Sequence, residues 1–311
     1  MEKKWGWGVS TSGKRTAWPD WVKGIGILSI VMAHVTQYFP GGASWLNRIL
    51  CSYHVPIFFV WGGVSAALWP KQYQVERRDF YLKRVKRFLI PYVLFSLFNS
   101  ALKLGVLLLT HQLTESAVRE ELRALLITGN GTVWFLVTLF LIEILFYETK
   151  NLTPVRYVTA AIGLVLPFLL QKQLTPLLLL LVLAGCVAAC LCRFRLEFFS
   201  GIFSNGFAAV PISLVFSIGI ILAAYSIRER GNRALKLLQY FGKESLLVML
   251  IHPTVLLFFT YPFGRSFATM TGLRSFACAM LTFAAVAALN VPVITCINRW
   301  FPILKGEVKK R

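Results

Sequence analysis

Apolar residues in this chain come in long unbroken runs, without the strict alternation of a strand. The runs cover about 18–39, 48–69, 88–110, 132–149, 155–170, 174–192, 207–226, 244–263 and 275–298. About 20 apolar residues in a helix span the hydrocarbon of a bilayer, so the runs predict nine clear membrane helices. The absence of alternation excludes a β-barrel. Pro40-Gly41-Gly42 predicts a break and a short outer turn after the first helix. Pro91 falls in the first turn of the third, where proline costs little.

The connections orient the runs. Residues 1–17 are basic, with Lys3, Lys4, Lys14 and Arg15, and are expected in the cytoplasm. The 70–87 connection carries Lys71, Arg77, Arg78, Lys83, Arg84, Lys86 and Arg87, the strongest cytoplasmic marker in the chain. The 111–131 connection is near neutral, suits the outer face, and has room for a short amphipathic helix. Nine spans with the N-terminus inside leave two basic segments outside, the 227–243 connection and the 305–311 tail. A tenth membrane segment between 193 and 206 removes that conflict, as a re-entrant or shortened helix. The expected fold is therefore all-α, a polytopic transmembrane bundle of nine clear spans and ten membrane segments. It forms one domain over 18–304, between basic termini at 1–17 and 305–311. The first apolar run lacks a small-x-small cleavage site and is expected to stay as a signal anchor.

Composition agrees. Of 311 residues, 57% are apolar and 15% charged, against nearer a quarter charged in soluble domains. The net charge of +20 sits between apolar runs, as headgroups and membrane orientation require, and does not argue for nucleic acid. The six cysteines lie in or beside apolar runs. They read as buried small hydrophobes, with no metal site and no disulfide framework.

Ionisable groups inside membrane helices are costly and mark functional sites. In the run from Trp18 to Val35 the polar points are Asp20, Lys23 and His34. Lys23 and His34 are eleven residues apart, ~16 Å along a helix and close to three turns, so both share one face. His34 lies ~21 Å from the cytoplasmic end, in the outer half of the bilayer. His54 enters the second helix from outside, and Glu143 lies ~16 Å down the fourth. The three are expected to line one cavity, with Lys23 nearer its cytoplasmic mouth. Asp20 reads best as a helix cap and can also pair with Lys23. The partner of Glu143 is open, with His34 and Lys103 among the choices. Trp134 reads as an interface anchor, and His252 at the end of its run suits a helix-end role as well as a catalytic one.

Four stretches resemble a known family. Asp20, Lys23-Gly24 and His34 fit D-x-x-[KR]-G-x-x-I-x-x-V-x-x-H. His54-Val-Pro-Ile-Phe-Phe-Val-Trp-Gly62 is similar to F-H-M-P-x-F-F-x-x-G, and Trp134 to Phe140 to W-F-L-x-x-L-F. Gly242-Lys-Glu-Ser245-Leu and His252 are similar to G-K-x-S-L…H. In this order they resemble the acyltransferase 3 integral-membrane proteins, especially the short fucose 4-O-acetylase-like forms. Lys23 stands where many relatives have arginine, so the bidentate guanidinium fork is lost.

The resemblance implies a bacterial cytoplasmic-membrane O-acyltransferase that moves an acyl group, acetyl first of all, to a glycan or lipid-linked sugar hydroxyl. Acyl-CoA is then a co-substrate, and no permanently bound cofactor is expected. His34 would be general base or transient acyl carrier, with Glu143 and His54 beside it. Lys23, Arg84 and Arg87 would receive the polyanionic donor. Histidine suits removal of a hydroxyl proton, and a carboxylate can orient its ring. Membrane lipids and glycan-assembly proteins are the expected partners. The rival readings are a transporter or flippase for a lipid-linked sugar or small solute, and a non-catalytic partner in a glycan-assembly complex.

Overall fold

The computed structural model describes residues 16–109, 111, 113–123, 134–152, 196–197, 202–203, 206–301 and 304. The expected spans at 155–170 and 174–192 lie outside these residues, as do most of both basic termini and Cys186, Cys190 and Cys192. The described chain is helical apart from one short antiparallel pairing. In it, β1 (Leu196–Glu197) faces β2 (Ile202–Phe203). These four residues are extended rather than helical, and most of the expected tenth segment at 193–206 lies outside the described residues.

At the centre lies α1, Trp18–Thr36. It is apolar on every side except at Asp20, Lys23 and His34, the pattern of a helix enclosed by others. Around it pack α2 (Pro40–Cys51), α3 (Pro56–Leu68), α8 (Gly206–Ser226), α9 (Arg233–Lys243), α10 (Ser245–Thr269) and α11 (Gly272–Trp300). Trp18 is almost wholly buried, edge-on to Trp61 of α3 and Tyr225 of α8. The end of α1 is closed by side chains. Thr36 Oγ1 bonds back to the Met32 and Ala33 carbonyls, and Asn47 Nδ2 of α2 donates to Ala33 O at 2.8 Å. These side-chain donors add to the backbone bonds of the last turn, where the Gln37 N–H also reaches the Ala33 carbonyl.

The second expected helix differs from expectation. Pro40 starts α2 rather than ending α1, since proline at a first helical position lacks only an N–H that has no intrahelical partner there. The interruption comes later, at residues 52–55 before Pro56, with Val55 itself keeping α-region torsions. His54 therefore sits in a turn between two helices.

A fourth layer begins after a 3₁₀ turn, Pro70–Tyr73. Helix α4 (Arg77–Arg84) runs through a π-helical turn, Val85–Leu89, into α5 (Ile90–Leu109). The following α6, Glu115–Arg123, is the amphipathic helix expected in that connection. Its Glu121 pairs with Lys103 of α5. Helix α7, Trp134–Thr149, ties its far end to the 70–81 region. There Tyr147 Oη donates to the Val75 carbonyl at 2.7 Å and Tyr81 Oη to Glu148 at 2.8 Å.

The 227–243 connection is not a loop. Asn232 caps α9 by accepting the Leu235 N–H at 2.8 Å, and the helix lies directly on α1. The approach needs two glycines. A Cβ on Gly24 would stand 2.2 Å from the Leu238 carbonyl oxygen, and one on Gly242 only 1.7 Å from that of Asp20. Such distances exclude any side chain.

Among the described residues four stretches are long and apolar enough to cross a membrane: Pro40–Leu68, Arg77–Leu109, Ser245–Thr269 and Gly272–Trp300. The expected count of nine is thus met only in part. The described α7 has 16 residues, and α1 carries Asp20, Lys23 and His34 within its 19. The outward faces are apolar, with Leu109, Phe258, Leu273 and Leu281 each more than two-thirds exposed. Such a surface is suited to lipid.

Candidate active site

Two groups of polar residues lie along α1. The first surrounds a cavity of about 400 Å³. Lys23, Tyr73, Arg87 and Glu143 are its titratable groups, Ser65, Gln72 and Ser245 are among its other polar ones, and Ile27, Phe58, Phe135 and Met249 are among its apolar walls. Lys23 holds Asp20 at 2.7 Å, and the Asp20 side chain is wholly buried. The start of α1 has no side-chain cap, so Asp20 pairs rather than caps, a correction of the sequence reading. Its carboxylate still lies in the first turn, where the helix dipole favours negative charge.

Glu143 finds its partner in Arg84, whose Nε donates to Oε2 at 2.6 Å. Neither His34 nor Lys103 is involved. The Arg84 guanidinium also lies 4.5 Å from the Phe80 ring centroid and 6.0 Å from that of Tyr73. It is committed to these groups behind the cavity, whereas Arg87 reaches the wall itself. Burial, and then the neighbouring Glu143 charge, push the Tyr73 phenol well above its ordinary value. Tyr73 therefore stays a neutral O–H donor or acceptor at the cavity wall. Sequence reading missed Tyr73, because a tyrosine in a basic connection carries no signal of its own.

The second group is made of histidines. His34 lies against His252 of α10, with ring centroids 5.3 Å apart and planes at 39°. His54 stands in the turn between α2 and α3. His34 keeps partial exposure, while His252 is wholly buried. The His54 and His252 rings each place Nδ1 2.8 Å from the carbonyl four residues back, Leu50 and Val248 respectively. A carbonyl only accepts, so each Nδ1 carries the proton and each neutral ring leaves Nε2 bare. Among the described residues, His34 makes no hydrogen bond with protein.

The expected single cavity holding His34, His54 and Glu143 is thus divided. His34 and His252 meet, and Glu143 belongs to the cavity with Lys23. The two levels are joined along α1 and α10, and at α3 through the turn before it. Ile27 is two turns from His34 on α1, Phe58 one turn from His54, and Met249 one turn from His252. No group of three His, Cys, Asp or Glu side chains among the described residues is placed to hold a metal ion. His252 was legible as an ionisable group in an apolar run, but its place beside His34 required the fold.

The acyltransferase 3 family model, an acyltransferase domain, matches residues 16–235. The match includes α1, both arginines of the π-helical region, Glu143 and α8, and it ends before His252. No curated protein and no solved structure matches the chain. With most of its length matched, this helical membrane protein belongs to the acyltransferase 3 family and is an acyltransferase that moves groups other than aminoacyl groups.

Proposed function

We propose that the protein transfers an acyl group, acetyl first of all, from acyl-CoA to a hydroxyl of a cell-surface glycan or lipid-linked sugar. The setting would be a bacterial cytoplasmic membrane, crossed many times by the chain. The observation that carries this reading is the face of α1. It presents cationic Lys23 to a cavity shared with Arg87, then Ile27, then His34 beside His252. Acyl-CoA is polyanionic at its nucleotide end and neutral along its pantetheine arm. A cavity with two cations and aromatic walls is matched to both parts.

The chemistry follows from the residue types. The acceptor hydroxyl gives its proton to the bare ring nitrogen of His34 as its oxygen attacks the thioester carbon. The tetrahedral intermediate collapses, the C–S bond breaks, and the ester forms. The CoA thiolate takes the proton back from the imidazolium. General-base assistance of this kind supplies typically ~10²–10⁴-fold in rate. Glu143 acts at the cavity, where it balances Arg84, and His54 supports the histidine level from the α2–α3 turn.

The test uses purified full-length protein in nanodiscs with radiolabelled acetyl-CoA and a membrane glycolipid extract. Label reaching glycan or lipid with wild type but not with His34→Ala supports acyl transfer through His34. Equal transfer by both removes His34 from the chemistry. No transfer or hydrolysis by either folded protein, with several acyl donors tried, overturns the reading in favour of transport.

A further inference from the structure

His252 has no part in the chemistry above, and its surroundings are unusual. It is wholly buried in α10, between Val248 and Pro253. Pro253 has no N–H, so it cannot bond the Met249 carbonyl of the preceding turn. The His252 ring bonds one residue earlier, donating Nδ1–H to Val248 O at 2.8 Å. That bond fixes the tautomer. The neutral ring then carries a lone pair on Nε2, which is buried and has no hydrogen-bond partner. A buried acceptor without a partner is costly and rarely left so.

The ring beside it is His34, at 5.3 Å between centroids. Two imidazoles joined edge to edge by an N–H···N bond of about 3 Å need nearly this separation. The second ring of the pair is also the one with partial exposure and no protein partner of its own. At that separation, rotation of His34 about its side-chain torsions can turn an N–H toward this Nε2.

We propose that His252 is the positioning residue for His34. Its Nε2 accepts the N–H of one His34 ring nitrogen and so leaves the other His34 nitrogen bare, facing the acceptor hydroxyl. The fixed Nδ1–H bond to Val248 does for this pair what an orienting carboxylate does in a hydrolase triad. The neutral acceptor also steadies the imidazolium formed when His34 takes a proton. This inference rests on the proposed role of His34 as base.

Two variants separate positioning from packing. His252→Asn keeps an amide N–H for the Val248 carbonyl and loses the acceptor at the Nε2 position. His252→Gln carries an amide oxygen near that position. The chain has four histidines, so ¹⁵N-histidine labelling of the full-length protein in nanodiscs is readily assigned by single substitutions. In wild type the His34 ring is expected as one dominant tautomer. In His252→Asn it becomes a mixture, kcat falls roughly tenfold, and KM for acetyl-CoA is unchanged. His252→Gln restores most of both. An unchanged His34 tautomer and kcat in His252→Asn overturn the pairing. So do equal losses in both variants that follow a lower melting temperature. Absence of label transfer by wild type overturns the acyl-transfer reading itself, and that result is read from the label, separately from the nitrogen signals.

Discussion

The Glu143 carboxylate is held by the Arg84 guanidinium, Nε to Oε2 at 2.6 Å, with both side chains largely shielded from solvent. One comes from the middle of α7 and the other from the end of α4, just before the π-helical turn. A charge in that position is tolerable only in company, and loss of one partner strands the other. Glu143→Ala is therefore expected to lower stability by about 3 kcal/mol. Replacing both, with Arg84→Met and Glu143→Leu, should recover most of it. Thermal melts of the four proteins in one detergent check both statements.

The helix crossing of α1 and α9 makes a second expectation. Gly242→Ala puts a Cβ where the Asp20 carbonyl already stands, and Gly24→Ala does the same at Leu238. Backbone cannot yield as a flexible side chain can, so each should cost at least ~1–3 kcal/mol. Gly105→Ala, at an open helical position, should be neutral or stabilise by up to ~1 kcal/mol. Comparing the three melting temperatures tests whether close packing, rather than helix propensity, decides the outcome.

Donor recognition should be separable from chemistry. Lys23→Ala and Arg87→Ala each remove one cation from the cavity wall. Charge-assisted bonds of ~1.5–3 kcal/mol correspond to roughly 10–100-fold in affinity. The expected result is a raised KM for acetyl-CoA with kcat changed much less, a weaker dependence of KM on salt, and in Lys23→Ala an added loss of stability from removal of its ion pair with buried Asp20. A fall in kcat at constant KM would assign these residues elsewhere.

His34→Ala should show the opposite split. Transfer is expected to drop ~10²–10⁴-fold with acetyl-CoA binding retained. Direct measurement of donor binding by the variant distinguishes a lost base from a collapsed site. His54→Ala is expected to act less strongly, because its ring is already engaged with the Leu50 carbonyl.

The run from Trp18 to Thr36 was legible as a helix because apolar length and a polar start are local properties, and the structure gives α1 those limits within three residues. Counting at fixed rise per residue put Glu143 at the depth of the histidines, whereas the structure places it with Lys23 at the cavity. Counting could not say which helices touch. Glu143 had several conceivable partners in sequence, and only packing selected Arg84. Asp20 looked like a cap, yet Ala17 occupies the cap position and Asp20 turns to Lys23. The basic stretch 227–243 read as a connection between spans, and its helix α9 became visible only where it lies on α1.

The sequence by itself determined a helical membrane chain, a central first helix, and the family to which it belongs, since these depend on composition, spacing and ordered motifs. The tertiary structure alone decided that Glu143 stands with the cavity rather than with the histidines, and that His252 stands beside His34. Those relations are set by helix crossings, which depend on where two glycines let backbones meet and on which buried charge is near enough to neutralise another.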